Sequence, residues 1–289
     1  IPAEPLFRSS INFYKHTDFH EENYTLAMVI CRFPEVVRVN QEAIKAIAPE
    51  IYPLIEKYQT FQMQNPYFFH NGTTDDALGN AYSMINGIQR WQQADILGLF
   101  SEDEKSTVIE CEFSKEEVLE KFGLNGQKYM TLQRGVGENS ELTRCWAVKN
   151  YEELVTLLKK KYPDYLLVQI GSEKCAHFGN IDKDLCGKTD FKELKILLKN
   201  ATLHIDGEGG LVHLRHWLNG GKSVVIFGPT NKEFYGYEEN INLQSDICSG
   251  CEWLTADWRE KCPKGCHYCQ RSASITPEMV MNELENKGL

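Results

Sequence analysis

Two stretches of this chain hold residue types that do chemistry at spacings that mean something. In "CSGCEWLTADWREKCPKGCHYC", Cys248 and Cys251 form one C-x-x-C pair, and Cys266 and Cys269 form a second about fifteen residues further on. Two such pairs suit a tetrahedral thiolate site. Zinc and a single iron fit it equally. Cys262 is a fifth candidate that could replace Cys266. With every ligand supplied by protein, no coordination position stays open, so the expected role is structural. Free buried thiols are the alternative.

The second stretch is "HIDGEGGLVH", His204 to His213. A short apolar strand runs into a glycine-rich turn, and a helical pattern then begins with His213 in its first turn. A helix start presents unpaired N–H groups and the positive end of the helix dipole. Phosphate is the natural guest. Gly207, Gly209 and Gly210 would let the backbone come close, and His213 could donate to a phosphate oxygen. The alternative is a tight turn followed by a satisfied helix histidine.

The surrounding elements must place these residues. From about residue 127, strand and helix alternate over short connections: "KYMTLQ", "YEELVTLLKKKY", "DYLLVQIG", "DFKELKILLKN", "ATLHID", "GLVHLRHWLN" and "KSVVIFG". That alternation predicts an α/β fold, an open parallel sheet covered by helices. Ligands of such sheets bind at the carboxyl ends of the strands. "RGVGENS", "GSEK", "DGEGG" and "GPT" all fall there. Towards the front, "NQEAIKAIAPEIYPLIEKY", "AYSMINGIQRWQQADILGL" and "EEVLEKFGL" read as helices with few strands between them. "ITPEMVMNELENKGL" reads as a closing helix, with Pro277 at its start and Glu278 in its first turn.

Composition excludes several classes. The chain has 289 residues and a formal charge of −10, from 31 Lys and Arg against 41 Asp and Glu. A general nucleic-acid surface is therefore not expected. No apolar run reaches the roughly 18 residues of a transmembrane helix. "IPAEPLFRSS" is no signal peptide, and the chain starts at Ile1 rather than Met, which leaves open whether its natural N-terminus is longer. Of ten cysteines, five lie between positions 248 and 269. Cys31, Cys111, Cys145, Cys175 and Cys186 stand singly, a distribution that suits a metal in a reducing compartment better than a disulfide framework.

"HIDGEGGLVHLRHWLNGGKSVVIFGPT" resembles the donor-binding motif of glycosyltransferase family 9, the lipopolysaccharide heptosyltransferase family. "YMTLQRG", "TRCWAVKNYEELVTLL", "LLVQIGSEK", the cysteine-rich tail and "ITPEMV" are similar to that family in order and spacing over roughly residues 125–285. The resemblance implies a GT-B fold, two facing Rossmann-like domains with the N-terminal one incomplete. Its expected organisation is an acceptor-side domain over 1–125, a donor domain over 126–273 with a metal loop at 248–269, and a closing helix over 274–289. It also implies a nucleotide-diphosphate sugar donor, ADP-linked and heptose-like. Glu208, Gly209, Gly210 and His213 would surround the diphosphate with Arg144, and Glu173 would lie near the nucleoside. Gly228, Pro229 and Thr230 would close the site. Arg144 and His213 would stabilise the leaving group.

Two departures from the family involve three positions. Glu208-Gly209 replaces its Asp-Thr, and Arg144 replaces a lysine, which favours forked contacts to phosphate. The acceptor implied is a glycan or a protein, since a related subgroup modifies bacterial surface proteins and carries a cysteine-bound metal. The expected place is the bacterial cytoplasm, at most peripherally on the inner face of the membrane. The family's general base comes from the first loop of the N-terminal domain, and that loop is not recognisable here. His16, Asp18 and His20 are candidates by composition, with a solvated segment as the alternative. A non-catalytic, metal-stabilised binding or assembly module that kept the donor fold is the rival reading. "GVGENS", Gly135 to Ser140, imitates a dinucleotide fingerprint but lacks a prompt helix. "NPYFF" and "EFYGY" suggest packing, although Tyr235 and Tyr237 could line a donor pocket.

Overall fold

The computed structural model describes residues 24–30, 32–70, 73–74, 76–98, 109, 111–134, 142–265 and 274–288. The chain divides into two compact units, Ile1–Ser101 and Glu102–Leu289. No helix among the described residues is long and apolar enough to cross a membrane.

In the first unit, β1 (Leu26–Ile30) and β2 (Pro34–Val39) pair antiparallel, with a register shift between Ala27 and Met28. β3 (Phe69–His70) and β4 (Thr73–Thr74) form a second short antiparallel pair. The stretch expected as one helix over 40–58 is two, Gln41–Ile47 and Tyr52–Gln64. Pro53 stands in the first turn of the second helix, where its missing N–H costs nothing and its fixed φ favours a fresh start. The other front helix is also split: Asp76–Ile85 stops before Gly87, whose φ is +66°, and a 3-10 turn follows at Arg90–Asp95. Phe68 of "NPYFF" packs with Phe33 and Phe61 in the core, while Tyr67 is exposed.

The second unit is built on six parallel strands in the order β10-β9-β8-β5-β6-β7. These are β5 (Lys128–Leu132), β6 (Tyr165–Gln169), β7 (Lys183–Asp184), β8 (Leu203–Gly207), β9 (Ser223–Phe227) and β10 (Ile241–Gln244). Every residue of β8 and β9 is buried, as expected of central strands covered on both faces. Alternation splits the side chains of the sheet between its two faces. Met130, Leu132, Leu167, Leu203, Ile205, Val224 and Ile226 face the helices Val148–Lys161 and Pro277–Asn286. Tyr129, Val168 and Ile170 lie with Val118 and Leu119 of the Lys115–Lys121 helix, Leu197 of the Phe191–Asn200 helix, and Leu214. The sequence put a boundary near residue 125. By packing, the Lys115–Lys121 helix belongs with the parallel sheet, and so does the closing helix.

Local signals explain where these helices start. Asp190 Oδ1 accepts the Glu193 N–H at 2.8 Å, and Glu193 Oε2 accepts the Asp190 N–H at 3.1 Å, a reciprocal capping box. Thr276 caps the closing helix through Met279 N at 3.2 Å.

Candidate functional site

β8 ends at Gly207, and the helix Gly210–Trp217 begins three residues later. Gly209 is its N-cap in extended backbone (φ −172°), with no side-chain cap. None of Gly207, Gly209 and Gly210 needs a left-handed conformation. What glycine supplies here is the missing side chain: a Cβ on Gly210 would meet nothing within 4 Å. The first turn of this helix therefore faces open space with its N–H groups uncapped by any side chain.

Glu208 lies between these two elements and is 93% covered at its side chain. Arg144, in the turn Leu142–Arg144, reaches it with one nitrogen: Nη2 lies 2.5 Å from Glu208 Oε2 and donates to the Glu208 carbonyl at 2.7 Å. His213 Nε2 stands 3.6 Å from Glu208 Oε1 on the other side. Burial alone would push the Glu208 carboxyl up, and it is the largest single effect. The imidazole of His213 and the guanidinium of Arg144 together outweigh it, so the carboxyl is held below its ordinary value.

His213 has its own support. The Tyr237 hydroxyl lies 2.9 Å from His213 Nδ1. A phenol donating there leaves the ring proton on Nε2, towards Glu208. Tyr237 is buried and stacks on His216 with ring centres 3.6 Å apart, and His216 Nδ1 meets Glu239 Oε1 at 2.5 Å. Tyr237 thus serves the site as a partner of His213. Tyr235 instead donates to Glu252 Oε2 at 3.0 Å.

The turn bearing Arg144 is anchored from both sides. Trp146 is fully buried, donates from Nε1 to the Ile275 carbonyl at 2.9 Å and packs edge-on against Tyr151. Thr143 N–H donates to Arg259 O at 3.2 Å, and its hydroxyl lies 2.9 Å from Trp258 O.

Gly228, Pro229 and Thr230 follow β9 and are all buried. Gln244 of β10 donates to the Thr230 carbonyl at 2.5 Å. The Thr230 hydroxyl, also buried, has no hydrogen-bond partner among the described residues, and the same holds for Gln133 Oε1 just past β5. Glu173 is exposed in the turn after β6, two strands from β8 in the sheet. It is pressed against Gly187, where a Cβ would come within 2.8 Å of Glu173 Cβ. The carboxyl ends of β5, β6, β8 and β9 thus gather Gln133, Glu173, Glu208 and Thr230 along one edge, while direct contact unites only Arg144, Glu208 and His213.

In the cysteine-rich stretch, Cys248, Cys251 and Cys262 are half-buried thiols. Burial raises the Cys251 thiol first, and the neighbouring Cys248 and Cys262 raise it further. Thiols are the donor type a thiophilic metal takes, but these three sulfurs do not all lie within 4.8 Å of one another. Cys266 and Cys269 lie outside the described residues, as do Cys31, the His16–His20 segment and "GVGENS". The loop also braces the site. Glu252 N–H donates to Pro229 O at 3.1 Å, while the Trp258 and Arg259 carbonyls hold Thr143.

One cluster went unseen in the sequence. Cys175 and Cys186, counted there as single cysteines, have sulfurs 2.9 Å apart. Spacing held the signal: Cys175-x-His177 and Asp184-x-Cys186 are two short donor pairs, brought together by the chain reversal after β6.

The sequence profile of glycosyltransferase family 9 (heptosyltransferase) matches residues 86–267. The chain belongs to that family. Curated protein sequences offer no match. Among solved structures, a family 9 glycosyl transferase from Veillonella parvula aligns over 66% of this chain and 56% of its own, at 17% identity and a TM-score of 0.52. ADP-heptose lipopolysaccharide heptosyltransferase II of E. coli aligns over 62% and 52%, at 20% identity and a TM-score of 0.47. The iron-containing dodecameric glycosyltransferase TibC of enterotoxigenic E. coli aligns over 56% and 46%, at 22% identity and 0.45. The chain spans about half the length of these proteins. The α/β fold, a six-stranded parallel sheet flanked by helices, is of the GT-B type, and the Veillonella parvula structure matches it in part.

Proposed function

We propose that the second unit is the donor half of a sugar transferase and seats a nucleoside diphosphate on the first turn of the Gly210–Trp217 helix. One observation carries this reading: Arg144 and His213 flank Glu208 at a helix start that no side chain caps and that opens onto space beside Gly210. When the bond from the anomeric carbon to the diphosphate breaks, negative charge grows on the departing oxygens. A fixed guanidinium, an imidazole N–H and uncapped backbone N–H groups stabilise that charge without reorganising. Glu208 acts as the positioning group that holds Arg144 at the strand–helix junction. Thr230 and Gln133 offer unsatisfied polar atoms at neighbouring strand ends, suited to sugar or ribose hydroxyls, and Glu173 reaches for the nucleoside.

By family likeness the donor is an ADP-linked, heptose-like sugar and the acceptor a glycan or a protein. The base that deprotonates the acceptor is not assigned. A zinc or iron held by Cys248, Cys251, Cys266 and Cys269, with Cys262 as the alternate, would fix the loop that braces Thr143 and Pro229. When bound it supplies structural cross-linking. Action in the cytoplasm, at most peripherally on a membrane, agrees with this reading.

The test is calorimetric titration of the full chain with ADP, UDP, GDP and CDP, repeated with Arg144→Ala and His213→Ala. The expected result is selective binding of one diphosphate, weakened in both variants. No binding of any of them to the folded, metal-loaded chain would contradict the donor reading and leave the assembly module.

A further inference from the structure

Beyond β6 the chain makes a tight excursion and returns as β7. Gly171 opens it at φ +146°, and a Cβ there would sit 3.1 Å from Cys175 Sγ, so the glycine makes room for the sulfur. Gln169 ties the outbound arm, with Nε2 donating to Ala176 O at 2.6 Å and Oε1 accepting the Phe178 N–H at 2.8 Å. On the return, Cys186 N–H donates to Asp184 Oδ1 at 3.0 Å, and Gly187 N–H donates to Gly171 O at 2.9 Å. The result is a fixed frame holding four metal-type donors.

Donor atoms of His177, Asp184 and Cys186 all lie within 4.8 Å of one another, and no other such group occurs among the described residues. His177 Nδ1 meets Asp184 Oδ2 at 2.5 Å, and Cys175 Sγ adds the second sulfur 2.9 Å from Cys186 Sγ. A tetrahedral zinc with bonds of about 2.0–2.3 Å sets neighbouring donor atoms roughly 3.3–3.8 Å apart. His177, Asp184 and Cys186 already converge to within 4.8 Å, and the Cys175 sulfur, 2.9 Å from Cys186 Sγ, must part from it to take the fourth corner. The layering also suits an ion. Both sulfurs are buried at the floor, while the His177 and Asp184 side chains are 57% and 31% exposed at the rim, leaving an entry path.

We infer that Cys175, His177, Asp184 and Cys186 form a second metal site, distinct from the cysteine-rich loop, that takes a thiophilic divalent cation of the zinc type. Two thiolates, an imidazole and a carboxylate are the donor set such an ion favours, and its binding releases the thiol protons. The ion would pin the outbound arm to the return strand. Glu173 lies in this frame against Gly187, so the ion would also fix the group proposed to meet the nucleoside. The site itself does not depend on the donor reading.

The experiment is cobalt(II) titration of the metal-stripped, reduced full chain, following thiolate-to-cobalt charge transfer and counting equivalents. The proposal expects two sites, with one equivalent lost in C175S/C186S while C248S/C251S keeps that same equivalent. H177A/D184N, which leaves both thiols, should weaken that site about tenfold or more. This variant decides the matter if C175S/C186S does not fold. Unchanged stoichiometry in C175S/C186S, unchanged affinity in H177A/D184N, or Cys175 and Cys186 recovered as a disulfide that takes up no cobalt even after reduction would each overturn it.

Discussion

The two ends of the Gly210–Trp217 helix each meet an arginine, and the contrast separates a structural cation from one placed for a ligand. At the C-terminal end Arg215 is fully buried. It donates to the carbonyls of Leu198, Ala201 (2.9 Å) and Lys222 (3.2 Å). Its charge is spent on tying the helix to the loops on either side, at the helix end where a cation favours the dipole. Burial draws its pKa down to about 10, which still leaves it charged at neutral pH. At the N-terminal end Arg144 comes from another segment and meets Glu208 through carboxylate and carbonyl. That end is polar, uncapped by side chains and open beside Gly210. A protein that wanted only a stable helix here could have capped it with Ser or Asp.

Breaking the C-terminal end should cost the most. Arg215→Met leaves the buried Leu198 and Ala201 carbonyls, and the part-buried Lys222 carbonyl, without their donor and should destabilise the chain by about 3 kcal/mol or more, read as a lowered urea midpoint. Nucleotide affinity of the folded protein should stay the same. Arg144→Lys at the other end should invert that pattern. The lysine keeps the charge but loses the planar fork, so diphosphate affinity should fall about tenfold (~1.4 kcal/mol) with little change in the urea midpoint.

Tyr237→Phe removes the phenol that orients His213 but keeps the stack on His216. The expected loss is about fivefold in diphosphate affinity, roughly one hydrogen bond. It should be absent in a His213→Ala background, because the two residues act through one ring.

pH sharpens the comparison further. Glu208 is held below its ordinary value when folded, so the unfolded chain binds more protons there at acid pH. Its contribution is complete above the unfolded value of about 4.3 and is lost as pH falls through the lower, folded one. Glu208→Gln should flatten the acid side of the stability profile in urea titrations from pH 6 down to about pH 3. Arg215 should contribute nothing in that window.

Sequence legibility followed the same physics. The strands now called β5, β6, β8 and β9 and the helices between them were readable because continuous apolar runs alternate with helical spacing. β7 and β10 were not, since strands of two and four residues with half-buried side chains leave no run to recognise. Arg144, Glu208 and His213 were legible through motif order. Their meeting was not, because it needs the Thr143 and Trp146 anchors to carry one segment across to another. Nothing in "EFYGY" tells which ring faces His213, so the sequence marks Tyr237 only as a candidate pocket wall. Cys175 and Cys186 read as isolated because the turn that joins them rests on Gly171 and Gln169, whose roles are geometric.

The most direct test is amide hydrogen exchange with and without the nucleoside diphosphate selected by titration. Slowed exchange confined to residues 209–213, with residues 215–220 unchanged, is the predicted result. Binding with no protection at 209–213, or with protection centred elsewhere, would contradict the placement of the diphosphate at this helix start.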